Sequence, residues 1–226
     1  MKIIALETTT EACSAALNID GRVIERYRMA PREHNRIILP MIRELLDEAG
    51  LALREIDAIA FGRGPGSFTG VRIAAGVAQG LALSRELPLI PISTLAALSL
   101  EALEENPDAT ALAAIDARIG EVYFGSFRIK MGDVLEPIDP EVVILPDMVR
   151  TSSSGDRIGT GSGWMSYRNE LAAALGQPDI MILVDRYPKA SSIVRLAAPE
   201  FRMGHLMDPA AIEPVYLRNE VARKPI

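Results

Sequence analysis

The chain is poor in the side chains that most often bind metals or form covalent cross-links. It has one cysteine, Cys13, and two histidines, His34 and His205, in 226 residues. A single cysteine cannot form an internal disulfide, which argues against a disulfide-built secreted fold. Because no His-x-x-x-His pair and no ligand cluster are present, the sequence predicts no bound transition metal. No cofactor is expected. Cys13 is predicted to be a buried, inert thiol, and His34 a surface residue or part of a first helical turn.

Positive charge and long apolar runs are also scarce. Lys and Arg number 24 against 30 Asp and Glu, and this net charge of −6 argues against binding nucleic acid by bulk attraction. No run of about 18 apolar residues could cross a membrane, and Glu7 comes too early for a signal-peptide core. We therefore expect a cytoplasmic protein. The small basic cluster Arg218, Arg223 and Lys224 is interpreted as a solvated tail, with weak tRNA contact as the alternative.

The first half of the chain opens with three strands and then alternates helices and strands. Periodicity predicts strands at 2–6, 12–19, 22–29, 57–62 and 88–92, and helices at 34–49, 71–87 and 94–106. The pair Asp20-Gly21 suits a tight hairpin turn.

The second half repeats this opening. The apolar run 112–116 ends in Asp116, as the first strand ends in Glu7, and a strand follows at 121–129. Short strands are predicted at 142–145, 157–159 and 180–184, and helices at 164–175 and 191–203. This internal repeat predicts an α/β, actin/Hsp70-like (ASKHA) fold with two lobes, residues 1–106 and a reduced second lobe 107–226.

In such a fold, Glu7 and Asp116 would flank a cleft between the lobes. Together with Thr8 and Arg118, they are candidates for nucleotide or cleft contacts. The alternative is that each acid caps a turn after its strand. The longer Glu7 side chain favours the turn cap, whereas Asp116 stays open between the two interpretations.

Two glycine-rich turns precede predicted helices. The loop 62–70 lacks the Gly-Lys-Ser/Thr ending of a P-loop, so we predict that its glycines supply positive φ angles, with ligand or partner contact as the alternative. The turn 159–164 is a weak signal for close approach to an adenosine.

The first two helices also offer a candidate partner surface. The first has two apolar rows where one would cover a sheet, and the second has a Gly-x-x-x-Gly spacing that allows close approach of another backbone. The predicted partner-binding residues are Ile38, Met41, Ile42, Leu45, Ile73, Gly76, Val77 and Gly80. The alternative is that both helices are covered within the monomer.

Segments spread over the whole chain resemble one known family. They are 4–14, 31–34, 61–72, 114–123 and 213–218, and the glycine loop and the Asp116-Ala117-Arg118 motif are the most specific. The chain resembles the bacterial TsaB (YeaZ) proteins, small and degenerate relatives of the TsaD (Kae1-type) family. The resemblance implies a subunit required for forming threonylcarbamoyladenosine at position 37 of tRNAs that read codons beginning with adenine.

The resemblance also implies which subunit carries out the chemistry. TsaD-like proteins transfer the threonylcarbamoyl group and carry a His-Leu-Glu-Gly-His metal motif. Here Thr94 and Leu98 stand where its two histidines would fall, so no catalytic residue and no metal ligand are expected. The implied partners are a TsaD-like subunit, bound through a helical interface, and a TsaE-like ATPase. A homodimer would compete for the same surface, and tRNA would be contacted at most indirectly. The alternative function is a stand-alone actin-like ATPase or glycopeptidase-type enzyme that uses Glu7 and Asp116.

Overall fold

The first half of the chain folds into a five-stranded sheet and three helices. The structure, a computed structural model, describes residues 1–212 and Leu217. The strands are β1 (Lys2–Glu7), β2 (Ala12–Ile19), β3 (Arg22–Met29), β4 (Ala58–Gly62) and β5 (Leu89–Ile92). The helices are α1 (His34–Ala49), α2 (Phe68–Leu83) and α3 (Thr94–Glu105). Each predicted element of this half is present, with ends shifted by a few residues.

The second half forms another five-stranded sheet. Its strands are β6 (Thr110–Arg118), β7 (Glu121–Met131), β8 (Val134–Ile144), β9 (Arg157–Thr160) and β10 (Met181–Leu183), and its helices are α4 (Ser162–Ser166), α5 (Arg168–Ala174) and α6 (Ala190–Met203). The predicted strand 142–145 is only the end of β8. The rest of β8 was not predicted, because Pro137 and Pro140 are unusual in a strand. β8 tolerates these prolines because it is an edge strand. The predicted helix 164–175 is instead the pair α4 and α5, because Tyr167 leaves helical geometry at φ −135° and ψ 37°.

Both sheets have the same topology. Their strand orders are β3-β2-β1-β4-β5 and β8-β7-β6-β9-β10. The central strands β1 and β6 each pair antiparallel with the next strand along the chain and parallel with a later one. The predicted internal repeat and the two-lobed, actin-like α/β fold are therefore confirmed.

The last described helix returns to the first sheet. Ile193 and Val194 of α6 share one buried cluster with Ile3 and Ala5 of β1. Helix α6 covers the face of the first sheet opposite α1 and α2, which would otherwise expose apolar residues to water. The predicted boundary at 106/107 thus marks where the chain first passes from the first lobe to the second. Because α6 later returns, the first lobe is built from two stretches of chain. Residues 213–216 and 218–226 lie outside the described residues. They include the basic cluster Arg218, Arg223 and Lys224 and, except for Leu217, the family-matched segment 213–218.

Candidate functional site

A cleft of about 510 Å³ lies where the two lobes face each other. One wall comes from the turn after β1 and the start of α2, and the other from the end of β6 and from α4. Its lining includes Thr10, Glu11, Asp116, Arg118, Tyr187 and Leu217. The turn that follows β1 and the carboxyl end of β6 therefore face each other across this cleft.

Asp116 and Arg118, two of the four candidate cleft residues, lie in the lining of the cleft. The Arg118 guanidinium lies 3.1 Å from Glu11 Oε1 in the first lobe and 3.5 Å from Asp116 Oδ2 in the second. The Arg118 backbone N–H also donates to Asp116 Oδ1 at 2.8 Å. This Arg118 bridge joins the two lobes across the cleft. Asp116 therefore both caps its turn and anchors the bridging arginine.

Glu7 and Thr8, by contrast, are fully buried and do not line the cleft. Glu7 accepts hydrogen bonds from the Thr9 N–H at 2.6 Å and from the Thr94 hydroxyl at 3.4 Å, and the Thr8 hydroxyl donates to the Gly70 carbonyl at 2.8 Å. Burial raises the pKa of Glu7 from 4.5 to about 7, against the opposing effect of its hydrogen bonds. The prediction of cleft contacts is wrong for these two residues, because the glycine loop covers the turn that carries them.

The loop 62–70 is glycine-rich for close packing. A Cβ at Gly70 would lie 2.1 Å from the Thr8 carbonyl oxygen, and one at Gly66 would lie 2.5 Å from that of Thr9. A Cβ at Gly62 would meet the Glu7 carboxylate at 2.0 Å. Among the loop glycines, Gly64 alone has a positive φ, at 96°. The structural interpretation agrees with this geometry, but the predicted reason, positive φ, applies to one glycine only.

The second glycine turn packs against its own lobe. A Cβ at Gly161 would lie 2.4 Å from the Ala114 carbonyl oxygen, and one at Gly163 would lie 2.8 Å from the Ala114 Cβ. The Trp164 ring follows, with Nε1 donating to the Leu112 carbonyl at 2.7 Å. These glycines bring α4 onto β6, so the close approach is to strand backbone within the chain.

The predicted partner surface divides between the two helices. Ile38, Met41, Ile42 and Leu45 of α1 are at most 7% exposed and belong to the core under the first sheet. Both apolar rows of α1 are thus covered within the monomer, and the prediction of a free row is wrong. On α2, Ile73 and Val77 are half-buried and Gly76 and Gly80 are exposed. We call these last four residues the α2 outer face.

Neither candidate nucleophile nor candidate metal ligand is placed for chemistry. Cys13 is buried as predicted, and burial together with the nearby Glu7 charge raises its pKa to about 12. His34 lies in the first turn of α1, the second of its two predicted placements, and is buried there, with Nε2 3.2 Å from the Ala12 carbonyl oxygen. Among residues 1–212 and Leu217, no group of three His, Cys, Asp or Glu side chains could hold a metal ion.

Sequence reasoning missed several cleft residues. Thr10, Glu11, Met165 and Tyr187 come from three separate parts of the chain and meet at the cleft only in three dimensions.

Within the described part of the chain, no helix is long and apolar enough to cross a bilayer.

Fold and site together define a class, the two-lobed actin-like proteins, here with an interlobe cleft bridged by one arginine. The family model for TsaD, tRNA N6-adenosine threonylcarbamoyltransferase, matches residues 27–224. The chain is 41% identical to the tRNA threonylcarbamoyladenosine biosynthesis protein TsaB of Escherichia coli (strain K12), covering 99% of this chain and 97% of that protein. TsaB of Haemophilus influenzae is also 41% identical, over 99% and 96%.

A solved structure gives the same result. YeaZ from Pseudomonas aeruginosa superimposes with a TM-score of 0.89 at 40% identity, covering 96% of this chain and 99% of that one. The chain belongs to the TsaB (YeaZ) family of TsaD relatives.

Proposed function

We propose that this chain is a non-catalytic subunit in the formation of threonylcarbamoyladenosine at position 37 of tRNA. It binds and activates a TsaD-like transferase in the cytoplasm, together with a TsaE-like ATPase. The TsaB relatives are named for this biosynthesis, and their similarity spans the full chain.

The observation that carries the partner role is the α2 outer face. Apart from the neighbouring residues and the nearby backbone of α2 itself, no described atom lies within 4 Å of where a Cβ would stand on Gly76 or Gly80. Each glycine inside a helix costs about 1 kcal/mol relative to alanine, and the monomer gains no packing here in return. A surface that another helix must approach closely would need both glycines, since side chains there would hold that helix away. Because TsaD is a relative, it offers an equivalent helix, and a second copy of this chain would compete for the same face.

The residues that replace the transferase's metal motif support the non-catalytic role. Thr94 is fully buried, and its hydroxyl lies 3.1 Å from that of Thr9 and 3.4 Å from Glu7. Leu98 is fully buried beside Ile115 and Phe127 between the lobes. Both positions are therefore occupied by side chains that serve packing and structure.

Reconstituted threonylcarbamoylation tests the proposal. TsaD and TsaE with threonylcarbamoyl-adenylate and tRNA should form little product until this chain is added. Gly80→Leu should weaken binding to TsaD at least tenfold, because the new side chain obstructs close approach at the interface. It should still fold, since its site is open in the monomer.

The matched control adds the same side chain elsewhere. Ala173→Leu lies on the exposed side of α5 in the second lobe and should bind TsaD like the unmodified chain. Equal binding by Gly80→Leu and Ala173→Leu would place the interface away from α2. Product formed by the isolated chain, and abolished by Asp116→Ala, would instead support the stand-alone enzyme.

A further inference from the structure

The cleft between the lobes contains one residue of the C-terminal stretch. Leu217 lines it together with Phe68, Val71 and Tyr187. Its walls are otherwise amphipathic, with Ile115 and Met165 opposite these side chains. Because the cleft already contains one residue of the C-terminal stretch, the residues that follow Leu217 are a candidate occupant.

A buried polar atom in the wall lacks a partner. Thr10 is 8% exposed, and its Oγ1 has no hydrogen-bond partner among the described residues. A buried hydroxyl without a partner is costly, so an occupant of the cleft that donates to it or accepts from it would be stabilised there. A peptide backbone supplies both kinds of group.

We propose that residues 218–226 dock in this cleft, so that the chain's own C-terminal segment occupies the space between its lobes. These nine residues follow Leu217 directly and, fully extended, reach at most about 30 Å. Docking continues the path that Leu217 begins and does not depend on the partner surface of α2.

Charge favours this occupant. The segment carries Arg218, Arg223 and Lys224 against Glu220. The lining of the cleft carries two carboxylates, Glu11 and Asp116, against one guanidinium, Arg118. The segment is therefore net positive and the lining net negative, and Val221, Pro225 and Ile226 supply apolar groups for the apolar walls.

Disulfide trapping in the full chain tests the proposal. Met165→Cys places a thiol in the cleft wall, and Ala222→Cys places one in the segment. The matched control pairs Ala222→Cys with Met181→Cys, a similarly exposed methionine of the second lobe that lies outside the cleft; the exposures are 53% and 58%. Cys13 should not compete, because it is buried and its thiol pKa is raised to about 12.

We expect the cleft pair to form an intramolecular disulfide at least tenfold faster than the control pair, at a rate independent of protein concentration. Adding Arg223→Glu and Lys224→Glu should slow the cleft pair several-fold by reversing the charge of the segment. Equal rates in the two pairs would overturn the proposal. A cross-link that forms only between molecules would also overturn it, assigning the cleft to a second copy.

Discussion

The turns that follow β1 and β6 occupy equivalent positions in two sheets of the same topology, yet they differ in almost every physical respect. The start of the turn after β1 is buried beneath the glycine loop, and the acid before it, Glu7, is fully enclosed, whereas Thr10 and Glu11 further along reach the cleft. The turn after β6 faces the cleft, and Asp116 and Arg118 interact there with the other lobe. The same strand-acid signature therefore gives a buried structural carboxyl in one lobe and a cleft residue in the other.

The two turns also differ in backbone strain. Arg118 and Ile119 have φ angles of 63° and 56°, in the left-handed region that disfavours side chains with a Cβ, whereas residues 8–11 have no positive φ. The covered turn is fixed by packing from the glycine loop. The turn after β6 is held by its own tight hairpin and by the Arg118 bridge.

The largest expected effect comes from filling the space above the covered turn. Gly70→Ala would put a Cβ 2.1 Å from the Thr8 carbonyl oxygen, and the backbone has to move to admit it. We expect a loss of about 3 kcal/mol in the free energy of unfolding, measured by urea denaturation. A stability equal to that of the unmodified chain would show that the glycine loop does not hold this turn.

Glu7 should make stability depend on pH. Its pKa is about 7 when folded and 4.5 ordinarily, so between these values the folded chain binds the extra proton. This contribution is fully present below pH 4.5, is lost as pH rises to about 7, and amounts to about 3 kcal/mol at ~1.4 kcal/mol per pH unit. Glu7→Gln should remove this slope from urea unfolding curves measured between pH 5 and 8.

The equivalent acid of the other lobe supplies the control for this pH experiment. Asp116→Asn leaves Glu7 intact, and it should therefore retain the slope of the unmodified chain. A Glu7→Gln variant whose stability still falls by the same amount over this range would assign the slope to another group.

Relieving strain in the turn after β6 should have a smaller effect. Ile119 is 79% exposed, so its side chain contributes little packing at a φ of 56°. Ile119→Asn should stabilise the chain by about 1 kcal/mol, because asparagine tolerates left-handed geometry better than a β-branched residue. Ile119→Val, which keeps the β-branch, should leave the thermal unfolding temperature unchanged. An equal rise in that temperature for both variants would contradict the strain argument.

The smallest expected effect on stability comes from a glycine of α2, where an added side chain meets open space, unlike in the glycine loop just before it. Gly76→Ala adds a methyl group in open space, where a helix favours alanine over glycine by about 1 kcal/mol. The thermal unfolding temperature of the isolated chain should therefore rise slightly, whereas its affinity for TsaD should fall. If Gly76→Ala destabilised the isolated chain, the glycine would have a role within the monomer.

Sequence alone determined the repeat of strand, acid and turn in two lobes, and it also predicted the elements of the first half. Hydrophobic periodicity is a local property, because the apolar pattern of a helix or strand does not depend on which other element it packs against. It failed at β8, whose prolines are tolerated only because the strand lies at a sheet edge. It predicted the helix α6, but no local pattern could show that this helix returns to the first sheet.

Only the tertiary structure decided which residues are covered and by what. The two apolar rows of α1 read alike in sequence whether they face a core or a partner, and both proved to be buried in the first lobe. Glycine likewise looks the same at Gly70, where a carbonyl oxygen fills the space of a side chain, and at Gly80, where the space is open. Burial depends on segments distant in sequence, and so it separated Glu7 from Asp116 only once both lobes were folded.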